Sequence, residues 1–299
     1  MNRVLVTGIS GFIGRRVAPF LLERGFEVHG VGRGHRPALL EAPVAWTKVD
    51  LCDSGATRAF VKALAPSHCL NLAWYAKHGK FWRAPENLAW VQASINLLRA
   101  FADAGGRRFV GAGSCAEYDW SQPFLSEATT PRTPHTPFGR CKTALFEATM
   151  AYADMTGISA AWGRVFFVYG PGEVETRLVP HVISSLLAGR PAKTSAGEQI
   201  RDFSHVDDIA GGFAALLASD VQNGVNLASG QPVAVKTVIE TIGRLLGRSN
   251  LIEFGAIPSQ PNEPSELVAD IRRLTDEVGF RQCWRLERGL EATIQSYRS

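Results

Sequence analysis

The sequence predicts an α/β fold built on a doubly wound parallel sheet, with a smaller C-terminal α/β lobe. Three observations carry this prediction. The chain opens on a short apolar run, Val4 to Val6, then three evenly spaced glycines, Gly8, Gly11 and Gly14, then an amphipathic run through Val17, Phe20 and Leu21. Strand-like and helix-like segments then alternate to about residue 170, the rhythm of strands joined by crossover helices. The composition, 45% hydrophobic and 20% charged over 299 residues, is that of a globular chain able to bury a large core.

The opening stretch has a physical reading. Val4 to Val6 suits a strand buried on both faces. The first glycine permits a tight turn, the second lets backbone approach a pyrophosphate, and the third lets helix pack on strand. The helix N-terminus adds free N–H groups and the positive end of a dipole. Three glycines alone also suit a turn with no ligand. Their place between a strand and a helix favours a dinucleotide, cradled by Gly8, Ser10, Gly11, Phe12, Ile13 and Gly14.

The elements follow in order. Gly25 ends the first helix, and Phe26 to Val31 is the second strand. The turn after it, Gly32-Arg33-Gly34-His35-Arg36, has no acidic residue to accept from a ribose 2′-hydroxyl and two guanidinium forks suited to a 2′-phosphate. This favours NADP(H), with NAD(H) as the alternative; a solvated basic turn is the bland account. Val44 to Val49 is a strand leading to Asp50, which can accept from an adenine amine, and Asp53 caps a helix over Ser54 to Leu64. Cys69 to Leu72 is the fourth strand, followed by Ala73-Trp74 and a basic, aromatic loop over 75–85, either solvated or in reach of a substrate.

Asn87 to Ala104 and Gly139 to Thr156 read as long helices on either side of a strand at Arg108 to Gly111. Ile158 to Phe167 carries the sixth strand. Beyond Gly170 come helices over Leu178 to Ala188, Val206 to Leu217, Val235 to Leu246 and Leu286 to Tyr297. Extended pieces fall at Arg201 to His205, Val225 to Ala228 and Leu251 to Phe254, with a proline-rich loop at Pro258 to Pro264. The expected division is a dinucleotide-binding part over 1–170, to which the chain returns near 200–228, and a substrate lobe over 171–299.

Charge and cysteine content exclude several classes. A net charge of +4 without a long Lys/Arg run argues against nucleic acid or a membrane surface as partner. The five cysteines form no CxxC pair, so neither a disulfide framework nor a zinc site is expected. No signal-like segment opens the chain and no apolar stretch is long enough to span a bilayer, so a cytoplasmic protein is expected.

Five stretches taken together resemble the extended short-chain dehydrogenase/reductase family, the NAD(P)-dependent nucleotide-sugar epimerases, dehydratases and reductases, with a Rossmann-like sheet. These are Thr7 to Gly14, Gly113-Ser114, Gly139 to Lys142, Arg164 to Gly172, and Arg201 to Ala210. The resemblance runs from end to end. It implies cofactor contacts from the glycine turn, Arg33, Arg36, Asp50, Leu51, Leu72, Ala73, Trp74, Lys142 and Val165. It also implies a nucleotide-diphosphate sugar against Ser114, Cys115, Arg164, Leu178, Val179, Pro191, Arg201 and Glu263, and a homodimer paired through the helices at 87–104 and 139–156. Arg164 and Tyr169 also suit structural roles, and His205 and Asp208 suit pinning the two lobes together.

In such enzymes a Ser or Thr, a Tyr and a Lys four residues after it carry the chemistry, because residues i and i+4 share a helix face. Ser114 and Lys142 match; the position four before Lys142 is Phe138. Three accounts stand open: a tyrosine replaced to trap substrate, a native phenylalanine with Tyr118, Glu117 or a water as acid, or a cofactor-binding sensor without turnover. Ala116 stands where dehydratases of this kind carry an Asp, which argues against dehydration. Reduction of a 4-keto nucleotide sugar is therefore expected, with a 4-epimerase as the alternative.

Overall fold

The computed structural model describes residues 2–37, 43–258 and 263–298. The first five strands are β1 (Asn2–Thr7), β2 (Phe26–Gly32), β3 (Ala45–Lys48), β4 (His68–Asn71) and β5 (Arg108–Ser114). Further strands are β6 (Phe124–Leu125), β7 (Ser159–Val165), β8 (Phe167–Tyr169), β9 (Ala192–Lys193), β10 (Ile200–His205), β11 (Asn223–Leu227), β12 (Pro232–Ala234), β13 (Ile252–Glu253) and β14 (Glu266–Ala269). The α-helices are α1 (Gly14–Glu23), α2 (Ser54–Leu64), α3 (Glu86–Asp103), α4 (Pro137–Thr156), α5 (Leu178–Leu187), α6 (Val206–Ala218), α7 (Val235–Leu246) and α8 (Leu286–Gln295).

Seven strands form one parallel sheet in the order β11-β7-β5-β4-β1-β2-β3. The order reverses between β1 and β4, and ligands of such sheets lie outside the carboxyl ends of the strands at that switch point. Side-chain alternation on β1 sorts the two faces. Val4 and Val6 pack with Val17 and Leu21 of α1 and Phe213 of α6. Leu5 packs on the other face with Val61 of α2 and Leu97 and Phe101 of α3.

A second sheet runs β12-β10-β14-β6, with β8 also paired to β10. A separate core joins α5, α7 and α8 through Val182, Ile183, Val238, Ile239, Leu290 and Ile294.

The structure differs from the sequence reading at several elements. The single strand expected over 158–167 is two: β7 ends at Val165 in the main sheet, and β8 starts at Phe167 beside β10. The chain changes sheets at the buried Phe166. Strands β6, β9, β12 and β14 carry no periodicity signal because they are two to four residues long. Of the expected proline-rich loop, residues 259–262 lie outside the described residues.

Candidate functional site

The glycine turn sits hard against the chain leaving β4. Gly8 has φ +64°, and a Cβ there would lie 2.7 Å from the Ala73 nitrogen. Thr7 Oγ1 accepts from the Ala73 N–H at 3.1 Å and donates to Asn71 Oδ1 at 2.7 Å. Thr7 and Asn71, 64 residues apart and without a local signal of their pairing, thus tie the two strands together. A Cβ on Gly14 would run into the Gly8 carbonyl oxygen, so α1 can approach β1 only without a side chain there. Among the described residues no side chain caps the N-terminus of α1, and Ser10 and Gly11 are exposed just ahead of it. Arg15, in the first turn of α1, donates to the carbonyls of Pro171 and Gly172.

After β2, residues 33–36 form an exposed turn, braced by Trp46 Nε1 donating to the Gly34 carbonyl at 3.2 Å. Asp50 is exposed, and its Oδ1 accepts from the Cys52 N–H at 3.0 Å, closing the turn into α2. Leu51 is buried beneath that turn and Leu72 is half-buried beside Ala73.

The remaining chemistry collects where β4 and β5 end. Thr136 caps α4 by accepting from the Gly139 N–H at 3.0 Å, and Pro137 occupies the first turn, where its missing N–H costs nothing. A Cβ on Gly139 would strike the Ala116 carbonyl, so α4 lies directly on the turn that follows β5. This fixes Phe138 and Lys142 one helical turn apart over that end of the sheet. Lys142 Nζ donates to the Ala112 carbonyl at 2.8 Å and stands 3.7 Å from the Trp74 ring centroid. Burial pushes its pKa down to about 7, with the Glu117 charge opposing the fall. Ser114 ends β5; its Oγ accepts from the Ala116 N–H at 3.2 Å, which leaves the hydroxyl hydrogen to donate elsewhere.

Phe138 closes an aromatic cluster. Its ring centroid is 5.0 Å from Phe81, 5.7 Å from Trp82 and 6.3 Å from Trp74, all edge-on. Of the two readings open for the loop over 75–85, the solvated one does not hold for Phe81, which is buried, or for Trp82, which is half-buried. Phe81 is buried, and Asn87 Nδ2 holds the turn by donating to the Phe81 and Ala84 carbonyls at 2.7 and 3.0 Å. Trp74 Nε1 donates to Asn87 Oδ1 at 2.8 Å, so one asparagine positions both the turn and the indole.

Glu117 and Tyr118, named from the sequence as substitute acids, are committed to structure. Glu117 is fully buried. Its Oε1 accepts from Ser114 N–H at 2.8 Å and Trp162 Nε1 at 2.9 Å, and its Oε2 accepts from Arg164 Nε at 2.8 Å. Tyr118 is equally buried, donates to Asn226 Oδ1 at 2.8 Å and accepts from Arg164 Nη1 at 3.3 Å; burial raises its pKa. Arg164, 1% exposed, is shut inside with them, so its assignment as a substrate contact is corrected to the structural role the sequence also allowed. Val165, its neighbour, is half-buried at the end of β7 opposite Ser114.

The second sheet brings other expected residues together. Arg201 Nη2 pairs with Glu263 Oε1 at 2.8 Å, Gln199 Nε2 donates to Glu263 Oε2 at 2.7 Å, and the Arg201 guanidinium lies 5.4 Å from the Phe167 ring centroid. Cys115 is buried, and desolvation pushes its thiol up to about 12. Leu178 is half-buried and Pro191 exposed. Val179 is 2% exposed among Val182, Ile183 and Val238, so its assignment as a ligand contact gives way to a core role. Asp208 accepts from the Cys283 and Trp284 N–H groups at 2.9 and 3.1 Å, and the His205 ring stacks on Trp284 at 4.3 Å. Asp202, in the stretch Arg201 to Ala210, accepts from Ser229, Gly230 and Ala269 N–H groups and binds three segments together.

The family model described as the NAD dependent epimerase/dehydratase family matches residues 4–228. A UDP-glucuronate 4-epimerase of Thermodesulfobacterium geofontis is 26% identical over 98% of this chain and 95% of its own. A dTDP-4-dehydro-6-deoxy-D-allose reductase of a Streptomyces species is 29% identical over 99% and 96%. Among solved structures, MoeE5 in complex with UDP-glucuronic acid and NAD superposes with a TM-score of 0.86 at 27% identity, covering 99% of both chains. The UDP-glucose 4-epimerase of Thermotoga maritima has the same fold, with a TM-score of 0.89 at 20% identity, covering 99% of this chain and 98% of its own.

Proposed function

Because the chain belongs to the NAD-dependent epimerase/dehydratase family, we propose that it moves hydride at C4 of a nucleotide-diphosphate hexose, in the direction of reducing a 4-keto sugar with NADPH. The observation that carries this reading is the corner formed by Ser114, Lys142 and Trp74, joined through Ala73 to the Gly8 turn. A nicotinamide dinucleotide, when bound, supplies the hydride. The glycine cradle that any Cβ would fill, and the uncapped start of α1, are the groups that would hold its pyrophosphate. Ser114 has a hydroxyl hydrogen to donate to the sugar oxygen. Phe138 contributes an apolar wall in place of a phenol. The family resemblance assigns the diphosphate to Arg201, which is 3% exposed and paired with Glu263 in this structure.

The reductive direction rests on Arg33 and Arg36, which meet a 2′-phosphate better than a bare ribose, and NADPH is the usual dissociable donor. A second reading, 4-epimerisation, draws on the relatives named above and needs the same C4 hydride exchange, with the sugar returned on its other face. We also propose a homodimer through α3 and α4, which pack on each other and leave Leu88 and Met155 exposed. Among the described residues no helix is long and apolar enough to cross a membrane; a cytoplasmic location is part of the proposal.

The deciding experiment offers the purified protein 4-keto and 4-hydroxy nucleotide sugars separately. Reduction predicts stoichiometric NADPH oxidation with the 4-keto sugar. Epimerisation predicts interconversion of 4-hydroxy sugars with no net cofactor change. Binding of NADPH with no response to any nucleotide sugar would leave a cofactor sensor instead. Sedimentation would show a monomer if the dimer is wrong.

A further inference from the structure

We infer that Lys142 itself supplies the proton to the sugar oxygen in this chain, a role that rests on the C4 hydride reading above. The argument starts from which groups at the end of β5 can still exchange a proton. On the turn after β5, Glu117 and Tyr118 have every polar atom engaged with Ser114, Trp162, Arg164 and Asn226. Cys115 is a buried thiol held protonated by desolvation. On β7, the Arg164 guanidinium is fixed to Glu117. The elements packed around Lys142 otherwise present Trp74, Phe138 and Trp162, none of which titrates as an acid; the phenol in the adjoining aromatic cluster, Tyr75, packs against the Phe81 and Phe138 group.

Lys142 is built differently from a structural lysine. It is 5% exposed, yet among the described residues it forms no ion pair, and its one hydrogen bond goes to the neutral Ala112 carbonyl. An ammonium has three N–H bonds. One is spent on Ala112 and one side of the group faces the Trp74 ring. A buried cation without a carboxylate holds its proton loosely, because desolvation penalises the charged form. The indole face offsets part of that penalty, so the protonated form is not abolished. A lysine poised in this way has an acidity near neutral pH, where a general acid works best. One turn earlier on the same helix face, Phe138 offers no oxygen to stand between the amine and the sugar.

The step balances as follows. NADPH, when bound, would supply hydride for a new C–H bond at C4 of the 4-keto sugar, and the C=O π pair would become an electron pair on oxygen. That oxygen takes a proton from Nζ, giving a secondary alcohol, NADP⁺ and a neutral amine. The amine regains its proton from solvent. Rate should therefore fall as pH rises through about 7.

Protein carrying [ε-¹³C]lysine, titrated by NMR without ligand, tests the charge state directly. The expected result is one lysine signal titrating near neutral pH and absent from Lys142→Arg. If every lysine titrates near the ordinary ~10, the inference is overturned. The kinetic arm uses NADPH and a dTDP-4-keto-6-deoxyhexose. Lys142→Arg keeps a cation but cannot give up a proton. Its turnover should drop at least about 100-fold, and the residual rate should lose the fall near neutral pH. Phe138→Tyr should move the pH limb, since a phenol then intervenes. Undiminished turnover in Lys142→Arg with an unchanged pH profile sinks the lysine role alone. Absence of turnover in the parent with every sugar, beside an intact NMR titration, sinks the hydride reading and the role with it.

Discussion

Arg164 Nε donates to Glu117 Oε2 at 2.8 Å, with both side chains closed off from solvent. The pair lies beneath the turn that holds Ser114, because Glu117 also accepts from the Ser114 N–H. Removing one partner leaves the other charge buried and alone, which costs about 3–5 kcal/mol. Arg164→Met is therefore expected to lower unfolding free energy by that amount in urea titrations. Glu117→Gln combined with Arg164→Met should cost less than the sum of the single changes. A loss under about 1 kcal/mol in the single variant would show that the pair does not hold this turn.

Gly14→Ala places a methyl group against the Gly8 carbonyl. α1 must then move off β1, and overpacking of this kind costs about 1–3 kcal/mol. The expected outcome is a lower melting temperature together with NADPH binding weakened at least tenfold (about 1.4 kcal/mol) in a fluorescence titration. Binding unchanged in a folded variant would move the cofactor away from this turn.

If Arg33 and Arg36 meet a 2′-phosphate, Arg33→Asp with Arg36→Ser removes two charge-assisted contacts worth about 1.5–3 kcal/mol each. NADPH affinity should fall by at least about tenfold while NADH affinity holds or improves. Equal losses for the two cofactors in parallel calorimetric titrations would contradict the assignment.

Glu173 follows the Gly170-Pro171-Gly172 turn, and its Oε2 is buried with no hydrogen-bond partner among the described residues. Burial raises its pKa from 4.5 to about 8, with Arg177 pulling the other way. The folded state thus prefers the neutral acid. Its contribution to stability is fully present below about 4.5 and is lost as pH rises toward about 8. Glu173→Gln cannot ionise, so its melting temperature relative to the parent should rise across that window. Parallel melting curves at every pH in the window would rule this out.

The sheet was largely legible because its signals are local. Glycine spacing, apolar runs and helix stops lie within a few residues of one another, and α2 and α7 have the limits that their sequence predicts. Of the strands missed, β6 and β14 pair with each other, and β14 pairs with β10, across long stretches of chain. So short a segment carries no period of its own. The functional residues divide in the same way. The pairing of Phe138 with Lys142 follows from their spacing on one helix. The commitment of Glu117 to Arg164 joins residues 47 apart in sequence, and no local pattern shows it.

The parallel sheet, the glycine turn, the basic end of β2, and a lysine on α4 with phenylalanine one turn before it are all written in local sequence. Which polar groups are spent and which are free became visible with the folded arrangement. It paired Glu117 with Arg164 and Arg201 with Glu263, and set Lys142 on an indole with no ion-pair partner among the described residues. The physical reason is that helix and strand patterning depends on near neighbours. Charge state and reactivity depend on burial and on partners brought together from distant parts of the chain.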